Sequence, residues 1–257
     1  MKLARFQHGE DILHGIVYGD EIAAITGTFF DALQETGKRY PLAQVKLLTP
    51  VRPSKIVCIG LNYRKHIEEV GMQTLDTPHF FLKPPSSLIG PEDPIVIPKH
   101  AERVDYEGEL GLVIKRPMRN VPQAEALAFV LGYTCFNDVT ERALVMKSLS
   151  YLSEAKGFDT FGAVGPYVAT DLDPDHLEVK TLLNGEIKQQ DNTDSCLFKV
   201  PYLLHYISRC MTLLPGDIVA TGTPHGIAPM KAGDRVEVEI ERIGTLGNPV
   251  VSDLVAS

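Results

Sequence analysis

The stretch VDYEGEL, residues 104–110, sets Asp105, Glu107 and Glu109 at alternating positions just before the hydrophobic run GLVI. In an extended strand alternate side chains share a face. The three acids then point one way, and Val104, Tyr106, Leu110, Leu112 and Ile114 the other. Two strand rises put the Cα atoms of Glu107 and Glu109 roughly 6–7 Å apart. Carboxylates that close repel unless a positive charge lies between them. A divalent cation supplies it, and oxygen-only ligands favour Mg²⁺, Mn²⁺ or Ca²⁺ over zinc. The competing reading is a solvated outer face of an amphipathic strand.

Other residues extend the chemistry. Asp138 ends the apolar run in GYTCFNDVT, residues 132–140, where it can add a third oxygen ligand. Its alternative role is an Asx turn or the N-cap of VTERAL. His66 and Glu69 in NYRKHIEEVG lie three apart and share a face if that stretch is helical. A histidine oriented by a carboxylate acts as a general base on water; the alternative is a surface ion pair. Glu68, two residues from His66, points elsewhere on such a helix. Lys156 in AKGFDTFG can donate to an oxyanion or carboxylate, or simply pair with Asp159. TGTPHG, residues 221–226, offers backbone N–H groups and the Thr221 and Thr223 hydroxyls to an anionic ligand. The alternative is a tight connection and nothing more.

These residues need a scaffold. A chain of 257 residues, 44% hydrophobic, buries a substantial core in one large domain or in one domain with a small appendage. Its formal charge of -8 argues against a general nucleic-acid or membrane-surface binder. The four cysteines form no CxxC pair, so free thiols and a reducing cytoplasm are expected. MKLARFQHGED has no apolar h-region, and no apolar run reaches membrane-spanning length.

Short β-rich runs separated by Gly, Pro, Asn and Asp dominate: KLARFQ, EIAAITG, KIVCIG, ELGLVIK, FVLGYTCFNDV, VGPYVA, EVKTLLNG, DIVATG and RVEVEIERIG. Helices are expected over FFDALQETG, NYRKHIEEVG, PQAEALAFV and CLFKVPYLLHYISRCM. The pattern implies a mainly β, α+β fold, closed or sandwiched, and not a doubly wound sheet. VRPSK, residues 51–55, is a plausible joint, which gives units at 1–50 and 51–257.

Taken in order, GLNYRKHIEE, PHFFLKPPSSLIGPEDPIVIP, VDYEGELGLVI, GYTCFNDVTER, AKGFDTFGAVGPYV, LLNGE…DNT and LLPGDIVATGTPHGI resemble the fumarylacetoacetate hydrolase family in its catalytic C-terminal type. The resemblance implies that family's mixed β-sandwich roll, with a small N-terminal β-rich extension, in a homodimer. It implies that Glu107, Glu109 and Asp138 bind one Mg²⁺ or Mn²⁺, with no such role for Asp105. His66 and Glu69 match the catalytic His–Glu pair, on a segment that closes as a lid. Lys156 matches a lysine near the metal, and Thr223 a threonine at the substrate's carboxylate end. Tyr63, Arg142 and Asp159 lie in matched motifs as substrate-binding positions. Leu61 departs from the basic or polar residue that several relatives carry there, and Asp191 and Asp194 flank Asn192-Thr193 where relatives often carry serine.

The implied activity is enolate chemistry on 2-oxo or 2-hydroxy-dienoic dicarboxylic acids. A 2-hydroxyhepta-2,4-diene-1,7-dioate isomerase or 5-oxopent-3-ene-1,2,5-tricarboxylate decarboxylase of aromatic catabolism leads. Acylpyruvate hydrolysis and oxaloacetate decarboxylation follow. A non-catalytic module braced by a cation is the reading from another class.

Overall fold

Alternating and continuous apolar runs become strands throughout the computed structural model, which describes residues 1–253. The longer strands are β1 (Lys2–His8), β2 (Asp11–Tyr18), β3 (Glu21–Ile25), β4 (Glu35–Pro41), β5 (Ile56–Gly60), β6 (His79–Lys83), β7 (Gly108–Ile114), β8 (Val130–Asp138), β9 (Gly162–Ala169), β10 (Glu178–Leu183), β11 (Glu186–Asn192), β12 (Ile218–Ala220), β13 (Arg235–Ile240) and β14 (Gly244–Ser252). Among the described residues four α-helices accompany them: α1 (Arg64–Glu69), α2 (Arg142–Lys147), α3 (Leu152–Gly157) and α4 (Val200–Cys210). The fold is the mainly β, α+β architecture that the sequence implies.

One large sheet runs β4-β3-β2-β1-β9-β8-β7-β12-β5-β6, and a second runs β11-β10-β13-β14 with Ile95–Ile97 at its edge. The N-terminal strands join the large sheet through the antiparallel β1–β9 pair. Strand β7 lies near the middle, and all seven of its residues are buried. Leu110, Leu112 and Ile114 pack in the cluster that holds Leu203, Leu204 and Ile207 of α4. Val113 packs on the other face with Leu3, Ile56 and Ile218. Burying each such side chain contributes about 1.5–3 kcal/mol. The strands that carry the acids are therefore held from both sides. Asn184-Gly185 forms the β10–β11 hairpin turn, both residues at positive φ, as the Asn-Gly pair leads one to expect.

Three expectations change. FFDALQETG is not helical: Phe29 is buried in the core, and Glu35 begins β4, which pairs with β3. Pairing with β3 gives Glu35 onwards fixed ladder partners, which override the local helical spacing. PQAEALAFV forms a 3₁₀ helix over Gln123–Phe129 in place of an α-helix. The acidic run is not one continuous strand. Val104–Asp105 pairs with Thr140–Glu141, and the chain leaves that ladder at Tyr106 and Glu107 before β7 begins. No helix among the described residues is long and apolar enough to cross a membrane.

Candidate active site

Strands β7 and β8 are antiparallel neighbours, with Gly108 opposite Asn137 and Glu109 opposite Phe136. That register brings the start of one strand to the end of the other. Glu107, Glu109 and Asp138 meet there, buried, and each offers a carboxylate oxygen within 4.8 Å of the other two. Gly108 between the two glutamates has to be glycine, because a Cβ would overlap the Thr181 hydroxyl. The backbone is pinned as well. Glu107 N donates to Asn137 Oδ1 at 3.0 Å, and Gly108 N donates to Gln189 Oε1 at 3.0 Å.

Cations surround two of the three acids. Lys156, brought in by α3, donates to Glu107 Oε2 at 2.7 Å and to Asp138 Oδ2 at 2.6 Å. Its partners are thus these carboxylates and not Asp159. Arg142 donates through Nη2 to Glu107 Oε1 and through Nε to Asp105 Oδ2 at 3.1 Å. Arg103 grips the same Asp105 with two hydrogen bonds, at 2.9 and 3.1 Å. Asp105 therefore anchors arginines and stays out of the tricarboxylate cluster. Asp138 does not cap a helix: Glu141 caps α2 by accepting from Leu144 N at 2.6 Å.

Glu109 stands apart, with only a backbone donor, Gly222 N, at 2.8 Å. Burial, then the neighbouring Asp138 and Glu107, push its carboxyl well above the ordinary range. Burial also acts on Glu107, but Lys156 and Arg142 outweigh it and hold that carboxyl well below the ordinary range. Lys83 Nζ forms a buried ion pair with Asp138 Oδ1 at 2.6 Å. Glu109, which has no ion pair, shares one all-oxygen cluster with Glu107 and Asp138, so the residues fit a hard divalent ion.

Above the cluster, His66 Nδ1 meets Glu69 Oε2 at 3.0 Å on α1. Glu69 Oε1 accepts from Gly226 N at 2.9 Å, which ties the helix to the turn over residues 221–226. The backbone donors of TGTPHG thus hold two of the chain's own carboxylates, Glu109 and Glu69. Burial raises the Glu69 carboxyl, but the His66 and Gly226 hydrogen bonds leave it below the ordinary range. Thr223 is fixed from both sides: its hydroxyl donates to Gly108 O at 2.9 Å and accepts from Gln189 Nε2 at 2.9 Å.

One cavity of about 830 Å³ is lined by His66, Glu69, Glu107, Glu109, Asp138, Arg142, Lys156 and Thr223. Tyr63 is buried at the N-cap of α1, bridged to Cys196, and does not line the cavity. Asp159 is exposed and does not line the cavity. Sequence reasoning missed Lys83, Gln189 and the arginine clamp on Asp105. A lysine closing the apolar run HFFLK was the readable sign of the first; nothing local marked Gln189.

The β-rich scaffold thus buries three convergent carboxylates, able to hold a metal ion, in one cavity with a His–Glu pair. A family model described as Fumarylacetoacetate (FAA) hydrolase C-terminal matches residues 55–251, and one described as Rv2993c-like, N-terminal, matches residues 1–50. The chain belongs to the fumarylacetoacetate hydrolase family. It superposes on the crystal structure of 2-hydroxyhepta-2,4-diene-1,7-dioate isomerase from Mycobacterium marinum with TM-score 0.91 and 41% identity, covering 99% of both chains. Maleylpyruvate hydrolase from Sphingobium sp. SYK-6, solved with manganese(II) and pyruvate, gives TM-score 0.82 and 35% identity, with 98% of this chain and 99% of that one covered. The mitochondrial oxaloacetate tautomerase Fahd2a of Rattus norvegicus is 38% identical over 222 residues, 82% of this chain and 71% of that protein.

Proposed function

We propose that this chain is a divalent-cation-dependent hydrolase of 2,4-dioxo acids of the acylpyruvate type, with Glu107, Glu109 and Asp138 holding Mg²⁺ or Mn²⁺. The sharing of one cavity by the buried carboxylate cluster and the His66–Glu69 pair supports cation-dependent enolate chemistry, and the likeness to maleylpyruvate hydrolase, solved with manganese(II) and pyruvate, favours hydrolysis. A bound ion would supply Lewis-acid polarisation of the 2-oxo acid and a counter-charge for the electrons released by bond cleavage.

The chain's own groups do the rest. Glu69 holds Nδ1 of His66, so the other ring nitrogen serves as base towards a water in the cavity. That water adds to the C4 carbonyl, and the C3–C4 bond breaks. The products are a carboxylic acid and the enolate of pyruvate, which takes up a proton at C3. Lys156 has three N–H donors and spends two on Glu107 and Asp138, so the third is free for the substrate oxygen that gains charge. Thr223, with its proton committed to Gly108, offers a fixed lone pair and shapes the wall. Tyr63, Arg142 and Asp159 are proposed as supporting positions, of which Arg142 alone lies in the cavity lining.

A second reading keeps all carbons together: isomerisation, or decarboxylation, of a 2-hydroxy-dienoic dicarboxylate. It is favoured by the full-length likeness to the Mycobacterium marinum isomerase. The two separate by product. Mn²⁺-loaded protein is mixed with acetylpyruvate and followed by loss of enol absorbance and by pyruvate formed. Hydrolysis yields one pyruvate per substrate; isomerisation of the dioate yields none. His66→Ala should lower kcat by about 10²–10⁴ while Mn²⁺ affinity, read by calorimetry, stays unchanged. Loss of both together would place His66 among the ion's ligands.

A further inference from the structure

The cavity has two unlike ends. Its cationic lining residues, Arg103, Arg142 and Lys156, are each paired with Asp105, Glu107 or Asp138. His79 also lines it, and burial lowers the pKa of that ring, so it adds no fixed charge. The opening is different. Met72 and Leu75, just past α1, are 43% and 38% exposed, and Met146 and Leu149 are 73% and 53% exposed. Val145 and Leu152 continue this wall inwards, half-buried. Four of the six come from the strap over residues 142–157, between the Asp138 and Lys156 ends of the site.

Exposed apolar side chains gathered around one opening mark a surface that something apolar covers. Here the patch is continuous with the carboxylate cluster, so a molecule anchored at the floor reaches it. A cavity of about 830 Å³ has room well beyond a pyruvate unit. A second carboxylate at that height would lose water without meeting an unpaired cation among the lining residues. We propose that this rim makes the chain selective for 2-oxo acids whose far end is an apolar arm, against those of equal length that end in a carboxylate. The inference rests on the reading of the floor given above and assigns the substrate class that the same site takes.

The test uses the Mn²⁺-loaded full chain and separates floor from rim. Calorimetry first measures oxalate, which engages the floor alone, then N-alkyl oxamates of growing length and N-(carboxyalkyl) oxamates of matched length. Each added methylene should tighten binding by about fourfold until the rim is filled. A terminal carboxylate should weaken it by at least about tenfold. Leu149→Arg supplies the missing cation at an exposed position and should narrow or invert that preference while leaving oxalate binding unchanged. Acylpyruvates from acetyl to hexanoyl should show the same trend in kcat/KM. If oxalate binds but the alkyl arm adds nothing, or the wild type favours the carboxylate-ended series, the rim serves another occupant, such as a second copy of the chain. The inference then falls and the floor reading stands. If oxalate fails to bind, both fall.

Discussion

The floor and the rim of one cavity are built by opposite means. Glu107, Glu109 and Asp138 hang from β7 and β8, in the middle of a sheet covered on both faces. The β7–β8 ladder fixes the strands, and Glu107 N and Gly108 N are tied to the buried side chains of Asn137 and Gln189. Met146 and Leu149 sit on helices of one or two turns, exposed and free of such ties. Ion chemistry needs oxygens fixed to a fraction of an ångström, whereas an apolar arm tolerates slack because hydrophobic contact has no preferred direction. A rigid sheet therefore suits the reaction, and a short-helix strap suits the choice of substrate.

The sharpest way to break that contrast is at Glu109. Glu109→Ala should lower Mn²⁺ affinity and activity together, the latter by about 10³ or more. It should also raise the melting temperature of the cation-free protein, since it removes a buried acid that has no cationic partner. Met146→Ala, on the rim, should alter stability by less than about 0.5 kcal/mol. Calorimetry and thermal unfolding check both. Equal effects from the two changes would erase the distinction.

Lys156 probes the floor from the other side. It is the only lysine that hydrogen-bonds two members of the cluster among the described residues. Lys156→Met should cost the cation-free protein about 3–5 kcal/mol, because two buried carboxylates lose their shared counter-charge. Mn²⁺ should restore part of that loss in denaturant unfolding. A variant as stable as the parent would show that Lys83 and Arg142 neutralise the floor unaided.

Much of the floor was legible because its residues sit in short local patterns. EGE before an apolar strand, Asp138 at the end of another, and His66 three residues before Glu69 on a helix each carry their geometry in their spacing. What lay beyond reach depended on pairing between distant segments. Asp105 shares the alternation of Glu107 and Glu109, but the chain leaves its ladder at Tyr106, and the acid turns to Arg103 and Arg142. Gln189 touches Gly108 from 81 residues away. The rim was unreadable for a related reason: its side chains resemble core positions of amphipathic helices, and only the fold leaves them facing an opening. The helix expected over FFDALQETG failed because β3 supplied a partner that local propensity does not see.

Asp105 also gives a subtler test of how far the floor's rigidity extends. It touches no cavity atom of the cluster, but it holds Nε of Arg142, whose other end holds Glu107. Asp105→Asn should leave the guanidinium free to turn and weaken Mn²⁺ binding by about 10–100-fold, the usual cost of losing an outer partner of a ligand. KM for substrate on the loaded enzyme should move little. A change confined to KM would assign Asp105 to substrate and not to ligand positioning.

The smallest effect concerns pH, and it too separates floor from rim, since no rim residue titrates. Burial, with Asp138 and Glu107 beside it, keeps a proton on Glu109 above the ordinary carboxylate range. Between that range and the raised value, the folded cation-free chain holds a proton that the unfolded chain has lost, so its stability falls as pH rises. Glu107 has the opposite sign: its contribution is present above the ordinary range and is lost only in acid, so it adds no slope near neutrality. A cation must displace the Glu109 proton, so its affinity should strengthen by up to about tenfold per pH unit while that proton is held. The melting-temperature gain from Mn²⁺ should therefore widen as pH rises above the ordinary carboxylate range, and Glu109→Gln should abolish the widening. A gain that is flat with pH in the parent would mean that the neighbouring lysines already balance Glu109, and that the ion meets a floor with no acid left to neutralise.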